Sequence, residues 1–184
     1  MKAKIWIPVV VAILAVQAFV LHWLGRPLFC ECGTIHFWVN EVDSRETSQQ
    51  IADWYTFSHV VHGFLLYGLL FLAARKLPKG VRLIFAVLFE SGWEMIENSR
   101  FIIDRYLQSA LANGYVGDSI LNSLSDSLSM ILGFAIAGAG PISLTVAMGL
   151  IAEVVCAVVI RDNLTLNIIN LIHPFEFISR WQKG

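Results

Sequence analysis

The sequence predicts an all-α fold: an integral membrane helical bundle of about five transmembrane helices plus short interfacial helices. Three observations carry this. Of 184 residues, 57% are hydrophobic and 15% charged, with mean hydropathy +0.66, outside the range of ordinary soluble domains. Apolar runs recur at about 20 residues, the length that crosses a hydrocarbon core of roughly 30 Å. A loop from Arg75 to Arg82, containing Arg75, Lys76, Lys79 and Arg82, separates two of these runs, and the positive-inside rule puts it in the cytoplasm. The spans use nearly all of the chain, so residues 1–184 form a single membrane domain without a soluble catalytic module. A net charge of −1 supplies no basic field for nucleic acid.

Taken in order, Ile5 to Leu24 is the first span, and Lys2 and Lys4 ahead of it set an inside N-terminus. The run is long for a signal-peptide core, and no small-residue cleavage site follows it. Gly25 to about Asp53 is an external loop, with a short interfacial helix over Glu46 to Tyr55 and with Trp54 and Tyr55 at the aromatic belt. The second span, Thr56 to Ala74, leads into the basic loop. The third, about Arg82 to Asn98, runs outward. Ser99 to Gly117 is external, an interfacial helix with a turn at Asn113-Gly114. The fourth span starts at Gly117, with Asp118 as its cap, and continues to Ala139. After a turn at Gly138 to Pro141, Ile142 to Ile160 is the fifth, carrying Glu153. The tail, with Asn167, Asn170, His173 and Trp181, lies along the outer membrane surface. The expected location is the bacterial inner membrane, N-terminus cytoplasmic and C-terminus periplasmic.

Cys30 and Cys32 form a C-x-C near His36 that matches no established zinc spacing. They read as a thiol pair in a loop, with a metal clip or redox pair as the alternative. Cys156 reads as a small core residue.

The costliest stretch is Glu90-Ser91-Gly92-Trp93-Glu94-Met95-Ile96-Glu97-Asn98, three carboxylates within a span. An ionisable group deep in a bilayer costs at least roughly 2.5–3.5 kcal/mol and needs a partner or a wet cavity. The i, i+4, i+7 spacing of Glu90, Glu94 and Glu97 puts them on one helical face. Asp118, Asn122 and Asp126 recur at i, i+4, i+8 on the fourth span, and His59 and His62 sit one turn apart near the outer end of the second. At about 1.5 Å rise per residue, all of these groups, with Glu153, lie in the outer half. Asn122, Ser123, Ser125 and Ser129 suit interhelical hydrogen bonding equally well. Interhelical bonding alone would crowd repelling carboxylates together without return, so the set reads as a site.

Two histidines facing carboxylates offer the N and O donors that Zn²⁺, Mn²⁺ or Fe²⁺ accept. His59, His62, Glu90 and Glu94 are the candidate ligands; Glu94, Glu97, Asp118, Asn122 and Asp126 are the candidate catalytic groups. Asp118 and Asp126, or one of them with Glu94, also form a possible proton-sharing pair. These motifs together make the chain similar to a family of small multi-pass inner-membrane proteins of alphaproteobacteria whose activity is uncharacterised. The resemblance covers nearly the full length and implies the location. More distantly, a membrane His, a Glu-rich span and D-x-x-x-N before a glycine span resemble VanZ-like proteins, associated with glycopeptide resistance and envelope lipids. The second Glu of the third span and Asp126 depart from that pattern. The D-x-x-x-N-x-x-x-D run is similar to part of the lipoprotein signal peptidases, whose fuller signatures around the aspartates are missing.

The expected function is an outer-leaflet, metal-assisted hydrolase or transferase acting on lipid or envelope substrates, its partners the bilayer and a lipid-linked substrate. A proton-coupled transporter or permease, and a non-catalytic assembly subunit of a membrane complex, are the alternatives. Intramembrane acids and histidines suit a carrier too, but the sequence shows no internal repeat of the kind carriers use.

Overall fold

A computed structural model describes residues 5–107 and 115–184. Among them are eight helices and no strands: α1 (Trp6–Trp23), α2 (Thr56–Ala74), α3 (Lys79–Glu97), α4 (Arg100–Tyr106), α5 (Ile120–Ala137), α6 (Ile142–Ile160), α7 (Leu164–Ile172) and α8 (Glu176–Lys183). Lys2, Lys4 and the expected turn at Asn113-Gly114 lie outside the described residues.

By length and composition, α1, α2, α5 and α6 can each cross a membrane. The 19-residue α3 matches them in length but carries Lys79, Arg82, Glu90, Glu94 and Glu97. It packs against α1, α2 and α5, and Arg82, Glu90 and Glu94 are buried. The bundle therefore takes in the helix that lipid would reject. By contrast α6 buries only Thr145, Cys156 and Ile160; Leu150, Val154 and Val158 are exposed, as a lipid-facing surface would be.

The tightest crossing is α2 against α5. A Cβ on Gly63 would run into the Met130 carbonyl oxygen, and one on Gly133 into the Val60 carbonyl oxygen. Small residues let two backbones touch where no larger side chain fits. Toward the basic loop, Val10, Leu70, Leu83, Ala86, Val87, Met130 and Phe134 fill the interior with apolar side chains. Arg82 lies over the rings of Tyr67 and Phe71, 5.5 Å from each centroid, a cation–π contact that offsets its burial.

At the opposite end, residues 25–55 fold onto the start of α5. The first N–H groups of a helix lack internal partners; here Ser119, Ile120 and Leu121 donate to the carbonyls of Ser48, Pro27 and Leu28. Ser119 is the N-cap, its hydroxyl accepting from the Asn122 amide at 3.1 Å. Asp118, expected as the cap, is one residue too early and turns elsewhere. The interfacial helix expected over Glu46 to Tyr55 does not form. Ser48 adopts φ 60°, a left-handed conformation that breaks a helix, and the buried Gln49 and Gln50 bond to neighbouring segments instead. Asp53 closes the loop, accepting from the Ser48 and Tyr55 amides. Cys30 and Cys32, read from the sequence as a thiol pair, are joined in a disulfide.

Candidate functional site

On α2, His59 and His62 project one turn apart toward the glutamate face of α3. Glu90 serves both rings: its Oε1 lies 2.6 Å from His59 Nδ1, and its Oε2 lies 3.1 Å from His62 Nδ1. Glu94 Oε1 is 3.4 Å from the same His59 nitrogen. On the other side of that ring, Nε2 is 3.8 Å from Asp126 Oδ2 of α5, while Thr56 donates to Asp126 Oδ1 at 3.1 Å. Potential ligand atoms of His59, His62 and Glu90 lie within 4.8 Å of one another, as do those of His59, Glu94 and Glu97. Three helices thus converge on one imidazole.

Beside this cluster is a cavity of about 210 Å³. His59, His62, Glu97, Asp118 and Asp126 reach its wall, and Trp93, Leu164, Ile168 and Leu171 give it an apolar side. Glu90, Glu94 and Asn122 are buried behind that wall. Two tyrosines hold its acids: Tyr106 donates to Glu97 at 2.8 Å and Tyr115 to Asp118 at 2.9 Å. Asn98 also donates to Asp118, at 2.6 Å. Burial pushes the Asp118 carboxyl above the usual carboxylate range in spite of the bonds from Asn98 and Tyr115.

Two sequence candidates go elsewhere. Asn122 donates to the Gln50 carbonyl at 2.9 Å, tying α5 to the loop and not to the histidines. Glu153 accepts from the Leu164 and Thr165 amides and the Thr165 hydroxyl, so it satisfies the first N–H groups of α7, where a carboxylate is favoured by the helix dipole.

Other participants escaped the sequence reading. Gln17 of α1 is fully buried; its Nε2 donates to the Ser123 hydroxyl at 2.8 Å, and its Oε1 accepts from Ser91 and Ser127. Because Ser123 accepts from Gln17, its single hydroxyl hydrogen is left for Glu94 Oε2, 2.6 Å away. The other oxygen, Glu94 Oε1, is buried without a hydrogen-bond partner among the described residues. A glutamine in a span whose other polar side chain, His22, lies at its far end was the available signal.

The profile of a family described as Protein of unknown function (DUF2585) matches residues 21–184. This chain belongs to that family. Relatives of the DUF2585 chain include a UPF0314 protein of Brucella anthropi, 52% identical over 176 residues that cover 96% of this chain and 89% of the relative. A UPF0314 protein of Sphingopyxis alaskensis is 46% identical over 176 residues, 96% of this chain and 94% of the relative. One of Rhizobium meliloti is 44% identical over 183 residues, 100% of this chain and 93% of the relative. No solved structure matches this member of the DUF2585 family.

Proposed function

We propose that this protein is a membrane-embedded, metal-assisted hydrolase or transferase acting on a lipid or envelope substrate at the outer face of the bacterial inner membrane. The observation behind it is the convergence of His59, His62, Glu90, Glu94 and Asp126 beside a cavity with one acidic and one apolar side. The donor set fits a divalent ion: imidazole nitrogens and carboxylate oxygens within one ion's reach, with the buried Glu94 Oε1 unpaired among the described residues. His59 and His62, with carboxylates of this cluster, would hold it. A bound metal supplies a water of lowered pKa and polarises an ester or phosphate oxygen. Glu97 and Asp118, held by Tyr106, Tyr115 and Asn98 on the cavity wall, are placed to take up or return a proton. Trp93, Leu164, Ile168 and Leu171 would seat an acyl or prenyl portion and exclude water.

The apolar packing of the half toward the basic loop favours a one-sided site over a carrier that opens to both faces. In this reading the N-terminus is cytoplasmic and the C-terminus periplasmic. We extend it to a distant kinship with VanZ-like proteins, on motif order alone. Metal analysis of protein purified in detergent is the test. One equivalent of a divalent ion, lost with chelator, is expected; protein without stoichiometric metal removes the metal-assisted reading.

A further inference from the structure

At the end of the bundle opposite the acidic cluster, the protein buries a cation and leaves it unbalanced. Arg82, in the first turn of α3, is 8% exposed, and its guanidinium stays charged with five N–H donors to satisfy. Tyr67 and Phe71 temper that charge but offer no carboxylate or carbonyl oxygen, and Nε and Nη1 are buried without a hydrogen-bond partner among the described residues. A buried charge is costly unless it is paired and hydrogen-bonded. The segments that supply this end hold no counter-ion: no aspartate or glutamate occurs between Met1 and Cys30, between Trp54 and Phe89, or between Ser127 and Ala152. Glu90, the first acid along α3, lies about 12 Å away at the helical rise, and its oxygens are taken by His59 and His62.

We infer that Arg82 and Lys79 form a binding site for the phosphate of an anionic phospholipid in the leaflet on the basic-loop side, separate from the acidic cavity. Lys79 shares an aromatic neighbour with Arg82: its Nζ is 5.8 Å from the Tyr67 centroid, and Arg82 Cζ is 5.5 Å from the same centroid. Two like charges thus meet at one ring with no acid to offset them. Gly138 makes the room for Lys79, since a Cβ there would strike its Nζ and Cε. A phosphate answers both cations at once, and a guanidinium is well matched to it. The flanking surface favours a lipid over a free anion. Phe71, Leu72 and Ile142 are exposed on helices long and apolar enough to cross a membrane, which gives acyl chains a place beside the headgroup. Trp6 packs against Gly80 at the same end, as indole rings do at membrane interfaces, and basic pockets between membrane helices recur as headgroup sites.

The test is native mass spectrometry of the protein in a zwitterionic detergent, titrated with phosphatidylglycerol or phosphatidylcholine. Wild type should retain one phosphatidylglycerol in preference to phosphatidylcholine. Arg82→Met keeps an apolar stem against Tyr67 and Phe71 and should weaken that binding by roughly fivefold or more, the contribution of one cation at an anionic headgroup. Lys79→Gln should weaken it comparably, and carries the test if Arg82→Met does not fold. The double variant Arg75→Gln/Lys76→Gln, at two exposed positions of the same loop, should bind nearly as wild type does. Equal retention of both lipids, unchanged binding in Arg82→Met and Lys79→Gln, or as large a loss in the double variant would overturn a discrete site. Displacement of the lipid by inorganic phosphate at equal concentration would overturn the lipid as its occupant.

Discussion

Glu94 shows how little of a buried acid's behaviour its own position explains. One oxygen receives the Ser123 hydroxyl and the other has no hydrogen-bond partner among the described residues, an arrangement that costs free energy unless something else uses it. Glu94→Gln keeps an acceptor for Ser123 and removes a buried ionisable group, so thermal stability in detergent should hold or rise. Metal retention and an in vivo phenotype should nevertheless fall sharply. A stable variant with full metal content and a normal phenotype would return this residue to a structural role. Asp162, just beyond α6, gives a pH signature. Burial raises its carboxyl to about 6, against opposing bonds from the Asn163 amide and the Tyr55 hydroxyl. An acid that holds its proton more tightly when folded makes the fold most stable at low pH and less so as pH rises. Its contribution should therefore decline between about pH 4, the ordinary aspartate range, and pH 6. Asp162→Asn should flatten that part of the stability profile and raise the melting temperature at pH 7 relative to wild type. Unfolding scans at several pH values check it.

At the scale of elements, the α2–α5 crossing decides whether the site exists. Gly63 and Gly133 meet at backbone contact and set the separation of the helices bearing His59 and Asp126. Gly63→Ala inserts a methyl against the Met130 carbonyl oxygen, and overpacking of this kind typically costs about 1–3 kcal/mol. Gly68, on the same helix but with open space around it, is the control: Gly68→Ala should be neutral or slightly stabilising, since alanine is the better helix former. Equal melting temperatures for the two variants would mean that the crossing is not close-packed. Gln17 plays a comparable part for α1, since one side chain joins α1 to Ser91 of α3 and to Ser123 and Ser127 of α5. Gln17→Leu should separate α1 from the bundle and lower stability by more than an exposed substitution does, because three buried serine hydroxyls lose a partner.

For the molecule as a whole, polarity is divided along the bundle axis, apolar at the end with the basic loop and acidic at the end covered by residues 25–55 and α7. If the basic loop is cytoplasmic, reporter fusions at Lys79 and Gly184 should read from opposite sides of the membrane. Cytoplasmic signals at both would sink that orientation. The all-helical membrane bundle and the place of its apolar helices were legible in the sequence. The bounds Thr56–Ala74 and Ile142–Ile160 fall where the apolar runs fall, because lipid tolerates only long, internally hydrogen-bonded apolar helices. Helical periodicity put Glu90, Glu94 and Glu97 on one face, and rise per residue put His59, His62 and Asp126 at a common depth, since both follow from a single helix's geometry. Which way each helix turns toward its neighbours does not follow from that geometry. Rotation and separation are decided by contacts between distant segments, such as Gly63 on Gly133 or Gln17 on Ser123. For that reason only the tertiary structure revealed that Asn122 serves the loop, that Glu153 caps α7, that Ser48 breaks the expected helix, and that Glu90 faces two histidines at once.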